Sequence, residues 1–349
     1  MADWLKSMQQ SFEYYVVDPA TWRDSKKLTN VKSCTISRDS SAETLGSATF
    51  DVTESVGECY IRVYMITNQN GVTEKHPLGT FLAQTPSSEF DGMVRTVSMD
   101  AYTPLLELKE NPPPLGYSIF EDKNIMDEAY RLTRDNLRAP VVKPSSDETL
   151  KYNFVSNVSD TWLTFVTDLI SNAKYDFGLD ELGRVIFLPR QKIETLQPIW
   201  TFDDGNSSIL EPPVTMDHDL FDIPNVVEVL YGNNLYSRVV NDDPNSPTST
   251  VRRGRYKTHR VTDVSDIGVP TQKQLDEYAK NLLKTLSEVE YTLTYSHGYC
   301  PVRLGDCVRL NYERAGLTNI KAKVINQEIT CRPGCIVNEK AVFTAKLWG

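Results

Sequence analysis

Val302-Arg303-Leu304-Gly305-Asp306-Cys307-Val308-Arg309-Leu310 combines a glycine turn with the strand that follows it. A similar but shorter motif occurs nearer the start of the chain, where Leu78-Gly79-Thr80-Phe81 again places a glycine before strand-like residues. Each copy is followed by a longer pair of predicted strands. Two copies of one small β-barrel would produce this repetition, so the pattern indicates related β regions towards the two ends of the chain.

The residues around the first copy alternate in polarity as β-strands do. Ala48, Phe50 and Val52 share one face of a predicted strand, which is the period of a half-buried strand. The run Tyr60 to Ile66 is rich in β-branched and aromatic residues and predicts another strand. Short strands separated by turns are typical of a sandwich or a barrel, so we predict a first tube-like β-barrel over residues 1–110.

A change of pattern begins at Asn111 to Gly116, where consecutive prolines exclude a helix or a central strand. Beyond it, residues 122–137 and Trp162 to Ile170 carry apolar residues at helical spacing, and the second of these helices has Ser159 or Asp160 as its expected cap. The segment Tyr175 to Leu188, with a turn at 180–183, predicts a hairpin. We therefore predict an α+β middle domain over residues 111–200.

The last part of the chain reads as strands around one long helix. Thr271 and Gln274 form a capping box before an apolar stripe that runs to Ser287. The strand at 223–231 joins the strands at 291–348 in a second, discontinuous tube-like barrel, for which we predict residues 201–235 with 290–349. The predicted fold is β-rich α+β, with two small tube-type β-barrel domains and α+β or helical inserts.

The predicted insert at 236–289 combines a loop with that helix. Its polar run, Asn241 to Thr250, is expected to be an exposed, flexible loop. Arg252-Arg253-Gly254-Arg255 follows as a small basic cluster. It is either part of a solvated loop or a contact for an acidic partner surface.

Charge and composition exclude some classes of protein. The 349 residues carry 47 acidic and 37 basic side chains, a net charge of −10, which is the opposite of the balance in proteins that read DNA sequence. An acidic channel wall would instead let DNA slide without sticking. The start of the chain lacks the pattern of a secretory signal and no stretch is apolar enough for a membrane helix, so we expect a soluble protein made in a cytoplasm, with no membrane insertion.

The search for chemistry yields no candidate catalytic, cofactor-binding or metal-binding residue. Cys300, Cys307, Cys331 and Cys335 could be imagined as a zinc site, but their spacing differs from that of zinc ribbons, and we interpret them as small hydrophobic residues. His218, flanked by aspartates, is interpreted as a surface salt-bridging group. No phosphate-binding glycine loop or serine nucleophile elbow occurs, so we predict that the protein is not an enzyme and needs no cofactor.

The order of the parts resembles a known family. The β region with Ala48 to Val52 and Leu78 to Phe81, the helix and hairpin with Asp180-Glu181-Leu182-Gly183-Arg184-Val185, and the late Leu304-Gly305-Asp306-Cys307-Val308 turn follow one another as in the baseplate hub proteins of tailed bacteriophages and related contractile particles, the late control D-like family. The resemblance extends over nearly the whole chain.

The resemblance implies a structural virion protein of the phage tail. Such hubs are homotrimers whose six barrels form a ring, adapt the sixfold tail tube to a threefold spike or tip, and form part of the DNA conduit. The implied partners are further copies of the chain, the tail tube or distal tail protein, the spike or tip protein and the tape measure protein, while DNA passes through the lumen without specific binding. Open barrel edges, at strands such as Tyr60–Ile66 or Lys321–Thr330, are expected to pair between subunits.

The resemblance also implies a location, the tail baseplate or tip of the virion, after assembly in the bacterial host cytoplasm.

Two alternative functions remain open from the residues alone. The first is a receptor- or carbohydrate-binding tail-tip module, which requires a shallow groove lined with aromatic side chains. The second is a cell-envelope hydrolase, which requires a cleft with converging acids or a metal.

Overall fold

The computed structural model describes residues 2–54, 56–90, 92–93, 95–206, 208–232, 234–262 and 269–348. Strands outnumber helices in it, and the predicted β-rich α+β fold is confirmed. The chain divides into two compact units. The first unit comprises Met1–Pro213 with Tyr295–Lys340, and the second comprises Val214–Thr294 with Ala341–Gly349. The four-part division expected from the sequence follows other boundaries and stays a prediction.

The N-terminal β region of the first unit is one antiparallel sheet in the order β3-β4-β7-β6-β5-β1-β2. Its strands are β1 (Gln9–Asp18), β2 (Arg23–Leu28), β3 (Val31–Asp39), β4 (Gly46–Val52), β5 (Cys59–Gln69), β6 (Val72–Phe90) and β7 (Arg95–Tyr102). As the alternation predicts, Ala48, Phe50 and Val52 of β4 are all buried.

This sheet coils around its own core. Tyr14 of β1 contacts Phe50 of β4, with ring centroids 6.2 Å apart, although three strands lie between them in the sheet order. Ile36, Ile61 and Met65 are fully buried in the same cluster. Only a strongly curved sheet brings side chains of such distant strands together, so the region has the curvature of the predicted barrel.

The middle of the chain packs against the other face of that sheet. Its elements are α1 (Leu106–Glu110), β8 (Ser118–Ile119), α2 (Ile125–Asp135), β9 (Phe154–Val155), α3 (Trp162–Asn172), β10 (Tyr175–Leu179) and β11 (Val185–Pro189). Tyr60 and Leu82 of the sheet share one hydrophobic cluster with Met126 of α2 and Phe165 of α3. The core therefore continues past the proline-rich step at residue 111.

The cap of α3 differs from the expectation of Ser159 or Asp160. Thr161 is the cap: its Oγ1 accepts a hydrogen bond from the Thr164 backbone N–H at 3.2 Å, and Thr164 Oγ1 accepts one from the Thr161 N–H at 2.8 Å. These reciprocal bonds satisfy two N–H groups at once, which a cap one or two residues earlier would not do.

The chain then forms β12 (Trp200–Asp203) and β13 (Leu210–His218) before the elements of the second unit. These are β14 (Val226–Tyr231), β15 (Leu235–Val240), α4 (Thr250–Arg253), β16 (Thr258–Val261) and α5 (Gln272–Leu286). The capping box predicted for α5 at Thr271 and Gln274 is confirmed.

We expected the strand at residues 223–231 to belong to the second barrel. Strand β14 instead lies outside the barrel strands. It pairs antiparallel with β15 and parallel with β16 in a separate sheet. Val227 and Val229 face the apolar stripe of α5 at Leu275, Ala279 and Leu283. The stripe of a surface helix needs an apolar sheet face to cover it, and β14 supplies that face.

The polar run Asn241 to Thr250 is only in part the exposed loop that its composition predicts, because exposed and buried residues alternate along it. Asn241, Ser246, Thr248 and Ser249 are buried. Asn241 Nδ2 donates to Ser246 Oγ at 2.9 Å, and Asn225 Nδ2 donates to the Thr248 carbonyl at 3.1 Å. Amide and hydroxyl groups supply these bonds, so the buried polar side chains of this run have hydrogen-bonding partners.

The last strands return to the first unit and join its two β regions. They are β17 (Glu288–Gly298), β18 (Cys307–Tyr312), β19 (Leu317–Thr330) and β20 (Ile336–Lys346), of which β17 and β20 also extend into the second unit. Asn326 to Thr330 of β19 pair antiparallel with Thr35 to Asp39 of β3.

The prediction that the strands at Tyr60–Ile66 and Lys321–Thr330 are open barrel edges is wrong. Strand β5 is paired with β1 and β6, and β19 with β18, β20 and β3. At one end of the sheet order lies β2, whose residues Arg23 to Lys27 are charged or polar and exposed, as is typical of an edge strand.

The buried segment at 241–250 gives a test. Asn225 is fully buried, donates to the carbonyls of Thr248 and Arg255, and accepts from the Lys257 N–H at 2.7 Å. We expect Asn225→Ala to lower the free energy of unfolding by about 3 kcal/mol, because it leaves buried backbone groups unpaired. The change is measured by urea denaturation, with hydrogen exchange over residues 241–257 as a local readout.

Asn245→Ala is the matched control, because Asn245 belongs to the same segment but is exposed. We expect it to change the free energy of unfolding by less than ~0.5 kcal/mol. Equal effects of the two substitutions would contradict a buried hydrogen-bonded role for Asn225.

Candidate functional site

The three short motifs that the sequence singled out lie around one cleft of the first unit. The turn of the β10–β11 hairpin, the start of the Leu78–Phe81 motif and the late turn at Arg303 to Asp306 all line it, and its volume is about 990 Å³. Segments that are far apart in the sequence therefore meet at a single surface.

The hairpin turn is fixed to the N-terminal sheet through one carbonyl group. The Leu182 carbonyl accepts hydrogen bonds from Trp22 Nε1 at 2.8 Å, Thr80 Oγ1 at 2.9 Å and Arg62 Nη2 at 3.2 Å. Arg62 is itself buried and paired with Asp24 at 2.9 Å. A buried guanidinium with its charge and N–H groups satisfied holds its neighbours in fixed positions.

The sequence of the turn explains its shape. Asp180 Oδ1 accepts from the N–H groups of Leu182 at 3.0 Å and Arg184 at 2.8 Å, as aspartate does in tight turns. Gly183 has φ +75°, and a Cβ atom there would lie 2.6 Å from Cβ of Thr80. The position therefore needs glycine both for its backbone conformation and for the approach of the sheet.

The late turn is joined to the hairpin from the other side. Arg303 forms an ion pair with Glu181, and its backbone N–H donates to Asp306 Oδ2 at 2.8 Å. Burial raises the pKa of Asp306 above its ordinary value. Because the hairpin turn contacts Thr80 on one side and Arg303 on the other, it links the two β regions of the first unit.

A chain of hydrogen bonds runs from the cleft into the interior. Arg38, which lines the cleft, donates to the Leu78 carbonyl at 2.7 Å and to Gln327 Oε1 at 3.0 Å. Gln327 Nε2 donates to the Val302 carbonyl at 3.1 Å and to Glu339 Oε2 at 2.6 Å. The chain thus connects both glycine-turn motifs with one buried carboxylate.

Glu339 accepts further bonds from strand β17. Tyr295 Oη donates to Glu339 Oε1 at 2.5 Å, and His297 Nε2 lies 3.4 Å from Oε2. Burial, followed by the nearby carboxylate, raises the pKa of Tyr295 well above its ordinary value. His297 Nδ1 lies 2.7 Å from the Gly298 carbonyl, which can only accept, so Nδ1 is the donor in this contact.

The same cluster contains a thiol, so that Cys300, His297 and Glu339 follow one another as the thiol, imidazole and carboxylate of a nucleophilic triad do. Cys300 Sγ lies 3.8 Å from His297 Nδ1, and His297 is followed by Glu339. However, Cys300 is only 2% exposed, His297 and Glu339 are fully buried, and burial raises the pKa of the thiol. A reactive cysteine needs a lowered pKa and access, and Cys300 has neither.

The remaining residues considered at the sequence level lie elsewhere. Cys307, Cys331 and Cys335 are buried, as hydrophobic residues would be. Among the described residues His218 has no ion pair of the expected kind; its ring stacks on Tyr291 with centroids 4.5 Å apart. Within the described ranges, no group of His, Cys, Asp or Glu side chains is placed to hold a metal ion.

The buried cluster itself was missed by the sequence analysis. His297 and Glu339 are 42 positions apart, and no local pattern links them. A signal did exist in the alternation of β17, where Tyr295 and His297 occupy the buried phase of a strand. A histidine at a buried strand position needs a hydrogen-bonding partner, but the sequence does not say which residue supplies it.

The lining of the cleft is chemically mixed. It combines acidic groups such as Asp160 and Asp168 with basic groups such as Lys323, together with the apolar side chains of Phe81 and Leu304. Its two turns are held by hydrogen bonds to the Leu182 carbonyl and to the carboxylates of Asp180 and Asp306.

In the part of the chain that the structure covers, each helix is too short or too polar to cross a lipid bilayer.

No protein-family model matches the chain, and no curated protein matches its sequence. Solved structures do share its fold. The tail protein from Neisseria meningitidis MC58 superimposes with a TM-score of 0.59 at 14% identity, over 96% of this chain and 96% of its own. The 43 kDa tail protein of prophage MuSo2 from Shewanella oneidensis gives 0.61 at 9% identity, over 95% and 98%.

A chain of the half-lidded PdpA–VgrG complex of Francisella gives a TM-score of 0.54 at 10% identity, over 96% of this chain and 58% of that chain. The chain therefore has the fold of phage tail proteins and of a VgrG-complex protein, and the resemblance inferred from the sequence is confirmed at the level of the fold.

The hairpin turn gives a test of the junction. We expect Gly183→Ala to lower the free energy of unfolding by about 2–4 kcal/mol, from the left-handed backbone and from the collision with Thr80. Gly116→Ala is the matched control, since Gly116 has φ +74° and nothing lies within 4 Å of its added Cβ. It should cost only about 1 kcal/mol in the same urea titration. Equal losses would mean that Thr80 does not restrict the turn.

Proposed function

We propose that this chain is a structural hub of a phage tail baseplate or tail tip. The single observation that carries the proposal is the fold that it shares with two tail proteins over almost the full length of each chain. A likeness limited to one barrel would fit many functions, whereas a shared order of β region, helices, hairpin and final strands is specific to an architecture.

The proposed role is that of a symmetry adapter. Three copies form a ring in which each contributes two small barrels, one face of the ring receives the sixfold tail tube and the other holds a threefold spike or tip. The coiled N-terminal sheet and the rigid junction at Leu182 support this role, because a ring under load needs barrels that keep their relative orientation within each subunit.

The proposed lumen is a passage for DNA without specific binding. The net charge of −10 supports this, because an acidic wall repels phosphates and keeps the nucleic acid from sticking. The proposed partners are further copies of the chain, the tail tube or distal tail protein, the spike or tip protein, and the tape measure protein. The proposed place is the virion tail, after assembly in the host cytoplasm.

A structural role fits the chemistry of the interior better than a catalytic one. The Cys300–His297–Glu339 group is buried, and its thiol is held in the protonated form. We therefore propose that the protein is not an enzyme and requires no cofactor.

The test is the assembly state of the purified chain. In sedimentation velocity we expect a particle of three times the 39.6 kDa chain mass. By electron microscopy the particle should be a threefold ring with a central opening of roughly 20–40 Å, wide enough for a DNA duplex. A twofold dimer, a trimer without an opening, or a chain that stays monomeric at the highest attainable concentration would contradict the proposal.

A further inference from the structure

The second unit presents a basic face in an acidic protein. The face is built on α4, β15 and β16 and on the segments beside them, and we define it by its cations and exposed aromatic rings: Phe221, Tyr236, Arg238, Arg252, Arg253, Arg255, Tyr256, Lys257 and Arg260. Two pairs of its members are in direct contact. Arg238 lies over the Tyr256 ring at 5.4 Å, and Lys257 Nζ lies 4.7 Å from the centre of the Phe221 ring.

Three of the six cations on this face pair with a carboxylate, and the two carboxylates involved are fewer than the cations. Glu228 pairs with Arg260 at 2.8 Å and with Arg238 at 3.4 Å, and Asp222 pairs with Lys257 at 3.2 Å. In the described part of the chain, Arg252, Arg253 and Arg255 form no ion pair. Like charges held side by side cost free energy unless an anion meets them.

Two members of the cluster are held in place by hydrogen bonds to backbone carbonyls. Arg253 donates to the carbonyls of Ile223 at 2.6 Å and Leu220 at 2.7 Å, and Arg252 Nε donates to the Pro244 carbonyl at 2.7 Å. Burial, then the neighbouring charge of Arg255, lowers the pKa of Arg253. The face is thus a fixed surface rather than the solvated loop that was one of the two expectations.

Its composition is that of an interface. Phe221 is 78% exposed and Tyr256 is 68% exposed, and each lies beside a cation. Arginine and tyrosine are enriched at the energetically dominant positions of protein–protein contacts.

We propose that this basic face docks onto an acidic surface of a second copy of the chain. In a closed ring of three, each subunit uses two different patches, one for each neighbour. The basic face of one subunit would therefore contact a different patch on the next subunit. The chain carries a net charge of −10, and its neighbour therefore offers acidic surface in abundance. This inference rests on the proposed homotrimer and adds the contact that closes it.

The experiment compares charge reversals of equal size. Arg252→Glu with Arg255→Glu changes the basic face, and Lys273→Glu with Lys280→Glu, at exposed positions of α5, changes the charge of the same unit elsewhere. Circular dichroism and thermal unfolding check that both variants are folded. Arg255→Glu alone serves as the milder variant, because it leaves the Arg252–Pro244 hydrogen bond in place.

In sedimentation equilibrium at about 50 mM salt we expect the wild type and the Lys273/Lys280 variant to be trimeric, and the Arg252/Arg255 variant to associate at least ~10-fold more weakly. Raising the salt to about 500 mM should weaken the wild-type trimer in the same direction, because exposed charges are screened.

The outcomes separate the two proposals. A wild-type trimer that the Arg252/Arg255 reversal leaves intact overturns this inference and leaves the proposed hub standing. A wild type that never forms a trimer overturns both. In a parallel anisotropy titration with a 20-nucleotide oligothymidylate, binding by the trimer that is lost in the Arg252/Arg255 variant would assign the face to nucleic acid and also overturn the inference.

Discussion

The pairing of β19 with β3 is the constraint on which the first unit depends. Asn326 to Thr330 lie beside Thr35 to Asp39, and this ladder joins strands from the two ends of the chain into one sheet. The hydrogen bonds of Arg38 to Gln327 and to the Leu78 carbonyl then tie the same two regions through side chains. The β19–β3 ladder and the Arg38 hydrogen bonds together fix the positions of the glycine turns and of the hairpin that contacts them.

Buried polar groups do much of the orienting in this protein. Arg62, Glu339, His297 and Asn225 are all buried, and each is bonded to backbone or side-chain groups from distant segments. Apolar packing alone tolerates several arrangements of similar volume, whereas an unpaired buried polar atom costs more than a small packing fault. Such groups therefore select one arrangement of barrel, hairpin and helix among the compact alternatives.

Local patterns were enough to predict most elements, and distant contacts were not. The alternation of Ala48, Phe50 and Val52, and the capping box of Thr271 and Gln274, depend on neighbours a few residues away and were predicted correctly. The donors to the Leu182 carbonyl are 102 to 160 positions away, so no window of sequence contains them. The run Asn241 to Thr250 has the composition of a loop, but the partner that buries it, Asn225, lies outside it. The overall order of parts carried more information than any single motif.

The distance between β3 and β19 along the chain has a consequence for biosynthesis. Arg38 and Gln327 are 289 positions apart, so the ribosome completes β3 long before its neighbour exists. At ~5–20 residues per second, the nascent chain waits roughly 15 to 60 s with that edge uncovered. An uncovered strand edge is a template for wrong pairing with other chains, and the hazard is greatest on polysomes, where many copies emerge together. Rapid, high-level production of this chain therefore places a demand on the chaperones of the cell that makes it.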